Sequence, residues 1–243
     1  MPHKRIARSK PLFWRISGYV LLISLLLMQA GSLKADSLVL KKVDAGIEDF
    51  GYILDKTNWT TKYLSPVSLV VCWENPSPEY ADQMLAVQAA ITDTWQKEAA
   101  ISFVGWANCP TEGNDIRIRV MDDGPHTKGL GTQIYGVPAG MVLNFTFAKW
   151  GAECADQAMY NMCVRSIAVH EFGHAIGFAH EQNRADTPGE CSSVKPAQGT
   201  SGDIMLTPWD PSSVMNYCNS TYNNSGILSE FDVSAVRQAY GPR

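Results

Sequence analysis

The hydrophobic positions of the chain change period several times, and each change marks an element. Val67 to Trp73 is a β-branched and apolar run closed by Asn75-Pro76, which predicts a strand. Between residues 78 and 98, Met84, Val87, Ala90, Ile91 and Trp95 recur at helical spacing, so a long helix is expected there. Ile101 to Trp106 predicts a second strand. Ile116, Ile118 and Val120 alternate with Arg117 and Arg119, which predicts a third strand with one face in solvent. Gly129 to Gly140 reads as loop and turn, and Met141 to Phe147 as a fourth strand. A second long helix is expected over about 160 to 177. After residue 180 the chain is rich in Pro, Gly, Ser, Asn and Asp, with few apolar runs. An amphipathic helix returns over Ser229 to Tyr240, capped by Ser229 and Asp232 and closed by Gly241-Pro242. The pattern predicts an α+β fold over 66–243. A mixed twisted sheet with two long helices would form an upper lobe, and an irregular lower lobe would end in the C-terminal helix.

The N-terminus follows a different pattern. Lys4, Arg5, Arg8, Lys10 and Arg15 precede an apolar run from Ile16 to Ala30, and small residues follow at Ala30, Gly31, Ser32 and Ala35. Fifteen residues are short for a bilayer-spanning helix but suit a secretory signal, so residues 1–35 are expected to be cleaved on export. An uncleaved anchor is the rival reading. Residues 36–65 are weakly patterned and predict an N-terminal extension or short propeptide. Without residues 1–35, which hold six of the twenty basic side chains and no acid, fourteen basic residues face 24 acidic ones, a net charge of −10. That balance argues against nucleic acid, whose phosphates need clustered cations. Six cysteines, all after the signal, point to disulfides in an exported chain, secreted or periplasmic. Chain proximity suggests Cys72–Cys109, Cys154–Cys163 and Cys191–Cys218, among the fifteen connectivities that six cysteines allow.

The chemistry lies in residues 170 to 181, His-Glu-Phe-Gly-His-Ala-Ile-Gly-Phe-Ala-His-Glu. On a helix, His170 and His174 share one face, with Glu171 beside the first. Two imidazoles four apart with an adjacent carboxylate suit a zinc ion and a general base. Gly177, which tolerates positive φ, lets the chain turn and return His180 as a third ligand, leaving a coordination position open. Three of the five histidines fall on this pattern; His126, in Asp123-Gly124-Pro125-His126, reads as an exposed turn residue.

The spacing H-E-x-x-H-x-x-G-x-x-H resembles the metzincin zinc peptidases. His180-Glu181-Gln182-Asn183-Arg184 is similar to their astacin branch, and Ser213-Val214-Met215-Asn216-Tyr217 resembles the Met-turn, although the family often has histidine where Asn216 stands. The resemblance implies a secreted endopeptidase with one catalytic Zn2+ on His170, His174 and His180, Glu171 as base, Met215 beneath the metal and Tyr217 as zinc ligand or oxyanion donor. It also implies that Glu181 holds a newly made N-terminus, against the plainer reading of a surface ion pair with Arg184. A peptide substrate would add to the edge strand, expected at Met141 to Phe147. Latency through Asp44, Asp49 or Asp55 has no clear match. Some astacins prefer acidic side chains after the cleaved bond; no Lys or Arg lies between Lys195 and Arg237, so no such preference is expected. The protein is expected to be a monomer acting on protein or peptide, with no stable membrane association. A matrixin-type peptidase and a non-catalytic binding module on the same fold are the alternatives.

Overall fold

A computed structural model describes residues 52–243, so the signal expectation, Asp44 and Asp49 lie outside the described residues. The elements in order are β1 (Tyr52–Ile53), β2 (Val67–Trp73), α1 (Ala81–Thr92), α2 (Trp95–Glu98), β3 (Ile101–Asn108), β4 (Ile116–Val120), β5 (His126–Thr127), β6 (Met141–Leu143), α3 (Gln157–Ala175), α4 (Gly189–Val194), β7 (Ile204–Met205) and α5 (Glu230–Tyr240). Five strands form a sheet of order β3-β2-β4-β6-β5, parallel except for β5, which runs antiparallel to β6. The expected mixed α+β architecture is therefore present, with α1 and α3 as its long helices. No helix among the described residues is long and apolar enough to cross a membrane.

Local chemistry explains where the elements depart from the sequence pattern. The long helix expected over 78–98 breaks at Asp93-Thr94, where the Thr94 hydroxyl donates to the Ala90 carbonyl. Strand β3 shifts register against β2 at Val71/Cys72, through Gly105 and Trp106, both at positive φ. A Cβ on Gly105 would lie 3.0 Å from the Val71 carbonyl oxygen, so only glycine fits there. The bulge turns Trp106 onto Trp73 and Phe172, the latter on α3. Arg117 does not face solvent as the alternation predicted. It is buried because its guanidinium donates to Glu74 and to the carbonyls of Pro110 and Gly113.

Part of the stretch read as an extension is built into this body. Ile53 and Trp59 are fully buried in the main core. The β1 strand pairs with β7, and the Leu54 amide donates to Gly177. Disulfides join Cys72–Cys109, Cys154–Cys163 and Cys191–Cys218, the pairing expected from chain proximity.

Candidate metal centre and active site

The metal helix α3 starts at Asp156, whose side chain accepts from the Ala158 amide, and ends in a glycine cap. Gly177 has φ +102; its amide donates to the His174 carbonyl and that of Phe178 to Gly173, the paired bonds of a Schellman motif. Carbonyls of the last turn lack partners within a helix. Here Trp59 Nε1 donates to Ala175 at 2.7 Å and the Tyr240 hydroxyl to Ile176 at 2.7 Å, so distant parts of the chain seal the helix end.

The cap returns His180 to the other two imidazoles. His180 Nε2 lies 3.3 Å from His170 Nε2 and 3.1 Å from His174 Nε2. Each Nδ1 meets a carbonyl: His170 that of Val214 (2.7 Å), His174 that of Phe178 (2.7 Å), His180 that of Gln198 (3.0 Å). A carbonyl only accepts, so each Nδ1 carries the hydrogen and each Nε2 turns a lone pair to a common point. Burial, reinforced by the neighbouring imidazoles for His170 and His174, holds all three below the ordinary histidine range and therefore neutral. Three converging lone pairs repel one another unless a cation lies between them. Tetrahedral Zn–N bonds of about 2.0–2.1 Å set N···N near ~3.3 Å, so the donor set fits zinc. Among the described residues, no other three His, Cys, Asp or Glu side chains converge in this way.

Glu171 lies beside this point, buried, with no partner on Oε2. Burial pushes its carboxyl up to about 8. The Tyr217 ring lies 5.2 Å from His170 and 4.5 Å from His180. Burial, and then the Glu171 carboxyl, hold its hydroxyl above the usual tyrosine range, so it is a donor at neutral pH. Met215 packs where the helix has no side chain: a Cβ on Gly173 would lie 2.3 Å from its Sδ. The Met-turn is braced by α5, where Asp232 accepts from the Ser213 hydroxyl and the Val214 amide. Asn216, the departure from the family pattern, is buried, bonded to the Asp210 carbonyl and the Cys218 amide.

Glu181 is buried rather than on the surface, and its partner is Arg184, 3.1 Å away with a fully buried side chain. Arg184 is held in turn by Asp186 and the Thr207 carbonyl. Asp55, the one described candidate for latency, starts a short turn with its amide on Asp203. The edge strand is β5, not Met141 to Phe147: β6 spans only Met141–Leu143 and lies between β4 and β5. His126, read as a turn residue, is on that edge and lines a cleft of about 440 Å³ with Glu171, His174, His180 and Tyr217. The contacts of Gly173 with Met215, of Asn183 with Gln198 and of Asp232 with the Met-turn were not foreseen from the sequence. Only Gly173 left a local signal, a glycine inside a helix that costs about 1 kcal/mol against alanine.

Residues 154–232 match the family model described as Astacin, a peptidase family, and that span holds the three imidazoles, Glu171, Glu181, Met215 and Tyr217. Over that span the chain is similar to the astacin peptidases. The chain is also 32% identical over 94 residues to bone morphogenetic protein 1 of Xenopus laevis, a match covering 32% of this chain and 13% of that one. It therefore spans a small part of that relative's length. Myroilysin superposes with a TM-score of 0.54 at 18% identity, over 78% of this chain and 98% of its own, and shares this chain's fold.

Proposed function

We propose that the chain is a secreted endopeptidase in which Glu171 moves the proton and Tyr217 donates a hydrogen bond to the reacting carbonyl. The observation that carries this reading is the unpartnered Glu171 Oε2, buried beside three neutral imidazoles that point at one place. His170, His174 and His180 would hold a zinc ion, which when bound would supply Lewis acidity to the attacking water and the scissile carbonyl. Glu171, with its high proton affinity, takes a proton from the attacking water at Oε2 and passes it to the nitrogen of the leaving amine. Tyr217 keeps its own proton and donates to the oxygen that gains negative charge. The free edge of β5 suits an extended peptide added as a further strand through main-chain bonds. The three disulfides and the apolar segment after a basic N-terminus support export.

The test is casein hydrolysis that stops with a zinc chelator and returns with added zinc. Glu171→Ala should keep its zinc and lose about 10²–10⁴-fold in rate, the range for a positioned general base. Hydrolysis at the wild-type rate in that variant would remove Glu171 from the role.

A further inference from the structure

Tyr217 is a wall shared by two clefts. The one with the imidazoles has a mixed lining, with His126, Lys128, Gln198 and Thr200 beside Pro125 and Leu130. The second, of about 430 Å³, is walled by Pro188, Val194, Trp209 and the Cys191–Cys218 bridge. Two of these side chains are placed at a local cost. Val194 leaves 70% of its surface in water, and Trp209 Nε1 is buried with no hydrogen-bond partner. Both costs fall when an apolar body fills the hollow, the second if the body brings an acceptor. Glu190 and Lys195 also line the cleft, one of each sign, so it offers no net field to a charged guest.

The hollow cannot close easily on itself. Helix α4, which carries Val194, is stapled through Cys191 to Cys218, the residue after Tyr217. The wall next to the imidazoles and the wall of the second cleft are thus joined covalently through Tyr217 and Cys218.

We propose, on the reading of the chain as a peptidase, that this second cleft selects the substrate: it takes a large apolar side chain, aromatic or branched aliphatic, from a residue adjoining the cleaved bond. Val194 and Trp209 are its specificity-determining residues.

The experiment uses internally quenched peptides varied on each side of the cleaved bond, with the zinc-loaded wild-type enzyme. At one of these positions Phe, Tyr, Leu or Met should give kcat/KM at least tenfold above Gly, Asp or Lys, the scale on which apolar pockets discriminate. Trp209→Ala and, at the exposed position where folding is not at risk, Val194→Asp should lower kcat/KM for the Phe peptide at least tenfold. The Gly peptide should stay within twofold. A second arm measures binding of labelled Phe and Gly peptides to zinc-loaded Glu171→Ala by fluorescence anisotropy, with the Phe peptide expected to bind about tenfold tighter. A profile dominated by Asp or Glu, a flat profile, or equal binding of the two peptides overturns the proposal while leaving the peptidase reading intact. If wild type cleaves no peptide but Glu171→Ala still prefers Phe, the peptidase reading fails and the apolar pocket stands.

Discussion

Gly173 has no side chain because Met215 occupies the space one would need. Replacing it with alanine gains helix propensity, about 1 kcal/mol, but forces Met215 or the helix to shift, and overpacking costs about 1–3 kcal/mol. Gly173→Ala should therefore lower stability or leave it level, and should weaken zinc binding, as denaturant titration and chelator competition would report. A variant that is both more stable and equally tight for zinc would mean the contact is loose. Asp232 gives a second test at this scale. Burial pushes its carboxyl up to about 6 from 3.8, against the donors from Ser213, Val214 and Ser229. The folded chain then holds a proton that the unfolded chain has released. The stability this group contributes is full below pH 3.8, falls as pH rises to about 6, and stays low above. The stability of wild type relative to Asp232→Asn should fall by ~3 kcal/mol between pH 3.5 and 7, at about 1.4 kcal/mol per pH unit. A difference that does not change with pH would return Asp232 to an ordinary carboxylate.

Among the elements, the excursion from Arg184 to Asp203 has a role its irregular composition does not announce. Asn183 Nδ2 donates to the Gln198 carbonyl at 2.7 Å and its Oδ1 accepts from the Gln198 amide at 2.8 Å. That same carbonyl receives His180 Nδ1. Asn183→Ala should release it and weaken zinc affinity about 10–100-fold, the usual effect of losing an outer-shell partner. Competition with a chromophoric chelator would measure it, and unchanged affinity would show that the excursion holds without the clamp. This contact was not legible in the chain, because nothing local links residues 183 and 198. The imidazoles were, since a spacing of four and a glycine three residues on are local instructions. Strand β5 was not, because two residues cannot display an alternation and its identity depends on pairing with β6. Arg117 misled for the related reason that its partner, Glu74, lies just past the end of β2, 43 residues away in the chain. Periodicity found α3 and α5 but not the break in the first helix, where one threonine hydroxyl decides the matter.

Over the whole molecule, the metal helix ends where remote segments meet. Trp59 from the N-terminal stretch and Tyr240 from α5 both donate to its last carbonyls, and Asn58 Nδ2 donates to Ala239. Trp59→Ala removes a fully buried indole and should cost about 3–5 kcal/mol. A chain starting after residue 62 should lose at least as much, seen as a lowered Tm by circular dichroism; an unchanged Tm would make the stretch dispensable. The weak patterning of residues 36–65 concealed this, because one indole and a few backbone bonds leave no period.

The arrangement also sets an order in time. The residues that aim the histidines and close their helix, Asp232 and Tyr240, are translated after all three ligands. A polypeptide still leaving the ribosome owns its imidazoles without the parts that orient them, so on the peptidase reading it stays idle until Tyr240 has been made.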